Sequence, residues 1–206
     1  MVWVFVGGVV VGVRNDLCMA RDGRKATLAS LRLARESRDG YPMRFAPELE
    51  ALVLALCGKL EVPADDTALA VRIVHMYDLG LLAADGEALN APRPLTDDER
   101  DQLSRWPQAA SLIAQGIPGQ EELAPALASL NEWWDGSHGT GKTSGDAIPI
   151  ASRVVAVALA YVAMSRSRPH RAALAPEEIV DQLRKTAGTR YDSRVVEALA
   201  ALVANG

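Results

Sequence analysis

Side chains that bind metals or carry redox chemistry are scarce in this chain. Its 206 residues hold three histidines, His75, His138 and His170, and none stands at the spacing of a zinc-ligand pair. Its two cysteines, Cys18 and Cys57, belong to no motif. That removes a disulfide framework and fits a reduced, cytoplasmic chain. Aromatic residues make up only 5% of the sequence, a mix that suits packed helices better than a β-sandwich. Positive charge is not in excess either. The net charge of -4 argues against a nucleic-acid surface. The apolar stretch Met1 to Val13 is too short to cross a bilayer as a helix. It has no basic residues before it and no small-residue cleavage site after it, so it does not read as a secretory signal.

What the chain does have is alanine, leucine and valine in helical rhythm. Leu49, Leu52, Val53, Leu56 and Leu60 form one apolar stripe, and Ala68 to Leu82 form a second. Thr96 and Glu99 have the spacing of a capping box. Pro107 opens a further helix, and Gln120 to Trp134 reads as another. Pro149 to Ser165 is apolar nearly all round, which predicts a buried central helix. Pro176 with Glu177 and Glu178 opens the next, and Asp192 can cap the last. Ahead of this body, Met1 to Val13 reads as two short strands about Gly7-Gly8, able to pack on the helices or pair with another subunit. Arg24 to Arg38 is helical in composition and ends at a turn, Asp39 to Pro42. The expected organisation is an N-terminal appendage over residues 1–46 and a helical domain over residues 47–206.

Residues Gly136 to Thr143 (GSHGTGKT) fit the spacing of a phosphate-binding loop, with Lys142 as its cation. Such a loop needs a buried strand before it and a helix starting at Lys142-Thr143. The preceding residues include the polar Asn131, Glu132 and Asp135, and Gly145 and Pro149 interrupt any following helix. Nucleotide binding through residues 136–143 is therefore the minor alternative.

The same region supports a different reading. Asn131-Glu132-Trp133-Trp134-Asp135-Gly136-Ser137 resembles the H-H-E-x-x-D-G segment of the HD-GYP family. Ile148-Pro149, followed by Arg153 and an apolar run, is similar to the family's next helix. Ser165 to Leu174 resembles its S-D-R-P-Y-R turn, and Ala187-Gly188-Thr189-Arg190-Tyr191-Asp192 its A-G-T-x-F-D. Upstream, Tyr77-Asp78-Leu79-Gly80-Leu81 stands where the family has H-D-x-G-K. Pro94 to Glu99, with Trp106-Pro107 beyond it, matches P-L-T-x-x-E followed by H-P. The likeness runs from about Pro47 to Val203.

The resemblance implies an all-α, HD-type helical bundle. It also implies metal-dependent cleavage of cyclic di-GMP, in which histidine and aspartate hold the ions and a metal-bound hydroxide attacks the phosphodiester. This chain departs from that pattern at most ligand positions. Tyr77 replaces the first histidine, although Asp78 is kept. Trp106 replaces the histidine before proline, and Leu130 and Asn131 replace the histidine pair. Leu159 replaces the helix aspartate, Leu81 the phosphate-binding lysine, and Phe45 or Ala46 stands near the remaining histidine. Asp135 survives in the loop. Such ions require imidazole and carboxylate donors, so no metal and no cofactor are expected. His75 with Asp78, sharing a helix face, and His138 with Asp135 are the only substitute ligands in view. Arg168 and Arg171 match basic residues that face substrate phosphates in the family.

The expected function is that of a catalytically inactive HD-GYP-like signalling module. It would act through a protein partner or self-association, or by sensing a cyclic dinucleotide. Residual metal-dependent cyclic di-GMP phosphodiesterase activity is the alternative.

Overall fold

The computed structural model describes residues 30–31, 46–84, 93, 96–167 and 172–205. Met1 to Val13, most of Arg24 to Arg38, Phe45, Pro94-Leu95 and the 168–171 turn with Arg168, His170 and Arg171 lie outside the described residues.

Eight α-helices carry the fold within that range: α1 (Ala46–Lys59), α2 (Ala64–Val74), α3 (Asp97–Ser104), α4 (Trp106–Gln115), α5 (Ala124–Ala128), α6 (Ile150–Met164), α7 (Pro176–Arg184) and α8 (Ser193–Val203). Four short 3-10 segments join them, at Tyr77–Ala83, Glu121–Leu123, Ser129–Asn131 and Gly145–Ala147. Among the described residues the only β feature is an isolated bridge between Ala187 and Tyr191. Over the described residues the fold is all-α, as expected.

Helix α6 is the axis of the bundle, as its all-round apolar sequence predicts. It packs against α1, α2, α5, α7 and α8. Ala151, Val154, Val155, Val157 and Ala158 have no exposed surface. Their small side chains let the neighbouring helices approach closely. Each neighbour delivers larger residues to the same core: Leu49, Val53 and Leu56 from α1, Ile73 from α2, Leu127 from α5, Ile179 and Leu183 from α7, and Val195 and Leu199 from α8. Burying each of these is worth about 1.5–3 kcal/mol before entropy is counted. The polar exception on α6, Ser152, is satisfied because its hydroxyl donates to the Ala126 carbonyl at 2.8 Å.

Local signals fix several ends. The Thr96 hydroxyl accepts from the Glu99 amide at 3.3 Å, and the Glu99 carboxylate accepts from the Thr96 amide at 2.8 Å, which completes the capping box. Glu99 also holds Arg93 through two bonds of 2.8 Å. Those bonds, the arginine's first, lower its pKa to about 2. Asp192 caps α8 by accepting from the Arg194 amide.

Two predicted helices divide. The segment expected to run from Ala68 to Leu82 is α-helical only to Val74; His75 caps it, and the chain tightens into the 3-10 segment Tyr77–Ala83. The reason is tertiary. Gly80 presses so closely on α4 that an added Cβ would lie 2.0 Å from the Trp106 carbonyl oxygen. The expected helix from Gln120 to Trp134 is a 3-10 turn, the five-residue α5, another 3-10 turn, and then loop. The Ser129 hydroxyl bonds back to the Pro125 carbonyl at 2.8 Å, the local competition that weakens helix continuation.

Candidate functional site

The 3-10 segment and the start of α4 bring together two positions where the resemblance calls for histidine. Tyr77 is nearly buried, and its ring meets the Trp106 ring edge to face, with centroids 5.8 Å apart and planes at 73°. Such a pair is worth about 0.5–1.5 kcal/mol beyond its buried area. Asn131, in one of the paired-histidine positions, donates its side-chain amide to the Ser104 carbonyl at the end of α3, and Leu130 is buried in the core. Leu159 packs half-buried against the core from α6. None of these side chains offers an imidazole.

The surviving acids do not converge. Asp78 is half-buried within the 3-10 segment. Asp135 is exposed and accepts from the Ser137 amide at 2.9 Å, and its bonds with Ser137 lower its pKa. His75 does not share an α-helical face with Asp78, because α2 has ended; its Nε2 lies 3.0 Å from Glu50 on α1. His138 stacks on Trp133, with centroids 4.9 Å apart. Among the described residues no three of His, Cys, Asp or Glu gather as metal ligands. This donor set does not fit the ions of the family mechanism.

The glycine-rich loop turns out to hold an anion of its own. The Glu132 carboxylate is 8% exposed. It accepts from the Thr140 amide at 2.8 Å, the Gly141 amide at 3.1 Å and the Thr140 hydroxyl. Gly136, Gly139 and Gly141 all take positive φ, and a Cβ on Gly139 would stand 2.8 Å from the Asn131 carbonyl. No helix begins at Lys142, which is exposed, and the next element is the three-residue Gly145–Ala147 turn. The setting that a nucleotide loop over residues 136–143 needs is missing: no helix starts at Lys142, and the Thr140 and Gly141 amides are held by Glu132.

The best-built polar centre lies where α6 and α8 begin. Asp192, with a side chain 2% exposed, accepts from Arg153 at 2.7 Å and from Arg194 at 2.8 Å and 3.0 Å. Asp146 bridges the same two arginines at 3.0 Å and 2.6 Å. Burial pushes the Asp192 carboxyl up, but the bonds from Arg194 and Arg153 outweigh it and hold the pKa below the ordinary value. Both guanidinium groups also lie over Trp134, 5.4 Å and 5.2 Å from its ring centre. Trp134 and Asp135 are tied to the 189–190 turn by backbone bonds from their amides to the Arg190 and Thr189 carbonyls. Neither Trp133 nor Trp134 is a freely exposed ring or a fully buried one; both are half-buried. Sequence reasoning placed Arg153 and Asp192 in motifs but gave them no joint role. It gave no role to Glu132, although that residue stands at the glutamate of the H-H-E segment and just ahead of a glycine-rich loop.

The HD domain family pattern matches residues 23–195. A cyclic di-GMP phosphodiesterase response regulator of Xanthomonas campestris is 28% identical over 177 residues, covering 85% of this chain and 47% of the relative. A cyclic di-GMP phosphodiesterase of Vibrio cholerae is 24% identical over 201 residues, covering 92% of this chain and 41% of that protein. The chain thus spans less than half the length of these relatives. A crystal structure of a cyclic GMP-AMP specific phosphodiesterase from V. cholerae superimposes with a TM-score of 0.62 at 18% identity, over 87% of this chain and 48% of that one. At that identity the likeness speaks for the fold.

Proposed function

Because the chain belongs to the HD-domain family, we propose that it is a non-hydrolysing relative of cyclic dinucleotide phosphodiesterases, working by binding a cyclic dinucleotide or a protein partner. The observation that carries this reading is the Tyr77–Trp106 ring contact. It fills two positions that the resemblance assigns to imidazole, and neither a phenol nor an indole in that packing replaces a neutral nitrogen ligand. Leu159 removes a carboxylate from α6, and Leu130 with Asn131 removes the histidine pair. Arg168 and Arg171 supply guanidinium groups suited to phosphate, which favours a cyclic dinucleotide held without being cut.

A residual phosphodiesterase is the second reading. It is favoured by the retained Asp78 and by the names of the relatives, which are phosphodiesterases.

One experiment separates the two. Protein purified without chelator is assayed for bound iron, manganese, zinc and nickel, and then for turnover of cyclic di-GMP and 3'3'-cGAMP with added Mn²⁺ or Fe²⁺. Metal far below one equivalent and no turnover support the non-hydrolysing reading. Near-stoichiometric metal with turnover overturns it in favour of the enzyme. The binding arm is calorimetry with cyclic di-GMP. Replacing both Arg168 and Arg171 by Ala should weaken any binding by about tenfold or more.

A further inference from the structure

Arg72, Arg153, Arg184 and Arg194 each hold a carboxylate. Arg190 differs. Its guanidinium makes no ion pair among the described residues and is set by aromatic rings instead, 5.9 Å from the centre of Trp133 and 5.1 Å from that of Tyr191. A cation–π contact of this kind holds the guanidinium near the rings while leaving its N–H groups able to meet a carboxylate. His138 lies against the same Trp133 ring. Of the acids around it, Glu132 is engaged by the loop amides, Asp192 by Arg153 and Arg194, and Asp135 accepts from the Ser137 amide. The result is an aromatic-set guanidinium that makes no ion pair among the described residues, on a surface that also carries the exposed Asp135 carboxylate. The crevice beside Arg190 is too small for a nucleotide, with room for about one water, so the surface suits a protein group better than a small molecule.

The complementary surface is on the same chain. Helices α7 and α8 flank an open groove of about 380 Å³, floored by Val180, Ala200, Ala201 and Ala204. Glu177 and Asp181 stand on its α7 side, one helical turn apart on one face. Neither carboxylate has an ion-pair partner among the described residues, whereas Arg184 of α7 and Glu197 of α8, which also line the groove, satisfy each other at 2.7 Å. The groove is in the size range that admits a small organic group, about 300–1,000 Å³.

We propose that the chain self-associates through these two surfaces: Trp133 and Arg190 of one copy seat in the α7–α8 groove of another, with Arg190 bridging Glu177 and Asp181. The surfaces differ, so the contact is heterologous; it closes as a pair when used twice and otherwise extends as a chain. Tryptophan and arginine are the residue types that concentrate binding energy at interfaces. An exposed ion pair alone is worth little, so the indole on the alanine floor supplies most of the contact and the charges set its register. This names the partner left open in the function proposed above. Its failure leaves the loss of hydrolysis untouched, because association and turnover are measured separately.

The test is sedimentation equilibrium of the full chain from low micromolar to submillimolar concentration. Three proteins accompany the wild type: Arg190→Glu, the pair Glu177→Lys with Asp181→Lys, and all three changes combined. The residues changed are exposed, and melting temperature confirms that each variant folds. The expected result is concentration-dependent association of the wild type that weakens with added salt. Each charge reversal should lower the association constant at least about tenfold, and the combined variant should recover it. A wild type that stays monomeric throughout overturns the proposal. Association unaffected by either reversal, or reversals without rescue, does the same.

Discussion

Replacing Gly80 by Ala should destabilise the protein, while the same replacement at Gly58 should stabilise it. Gly80 lies in the 3-10 segment against α4, where an added Cβ would sit 2.0 Å from the Trp106 carbonyl oxygen and 2.9 Å from the Ala110 amide nitrogen. Those obstacles are backbone atoms of a helix, so no rotamer change relieves the clash. The segment must move off α4 and carry Tyr77 away from Trp106 as it goes. Overpacking of this kind costs about 1–3 kcal/mol, and a chain of this size loses roughly 2–4 °C of melting temperature per kcal/mol, so the expected drop is about 2–12 °C. Gly58 lies in α1, and nothing stands within 4 Å of its added Cβ. There alanine reduces the freedom of the unfolded chain and should gain about 0.4–1 kcal/mol. Thermal denaturation followed by circular dichroism reads both variants under one buffer. A Gly80→Ala protein melting within a degree of the wild type would refute the close approach of this segment to α4. A loss at both sites would show that the effect is general to glycine replacement.

Removing Glu132 should loosen the glycine-rich loop. Glu132→Ala leaves the Thr140 and Gly141 amides without their acceptor, a loss of about 1–3 kcal/mol, and hydrogen exchange at residues 139–141 should accelerate; unchanged exchange would contradict the clamp. Asp192→Ala should cost about 1–3 kcal/mol in urea unfolding, because Arg153, whose side chain is 10% exposed, keeps only the exposed Asp146 as a carboxylate partner. The pH dependence follows from the same group. Its folded pKa is depressed, so its stabilisation is present above the ordinary carboxylate pKa, near 4, and is lost as pH falls through the lower folded value. Urea midpoints between pH 6 and pH 3 should therefore fall less steeply in Asp192→Asn than in the wild type, and equal slopes would speak against the network. Glu61 holds the left-handed conformation at φ 53° after α1, so Glu61→Gly should raise stability by up to about 1 kcal/mol in thermal melts.

Much of the helical frame can be read from the residues themselves. The stripe Leu49, Val53, Leu56 has one spacing that buries it, and α1 buries it. The run from Ile150 to Met164 has no polar face to present to water, and α6 is central. Thr96 and Glu99 state their cap directly. The misreadings occur where a distant element decides. Nothing local stops a helix at Val74, which lacks a following glycine or proline for several residues; the stop comes from Gly80 meeting α4. The candidate site was legible as a set of substitutions, because each altered position could be named. The side-chain meetings that give those substitutions meaning could not. That Tyr77 would find Trp106, and that Glu132 would find Thr140 and Gly141, depends on how separate elements dock.

The Glu132 clamp also sets a threshold for anything that would enter the loop. A carboxylate tethered eight positions from the amides it occupies acts as a competitor at high effective concentration, on the order of millimolar or above for so short a connection. It is never diluted and never diffuses away. A free phosphate or nucleotide must outbid it in differential affinity, and must also leave a displaced carboxylate with nowhere in the interior to go. Pattern-matching phosphate loops are open receptors waiting for a ligand; this one is a receptor synthesised with its ligand attached.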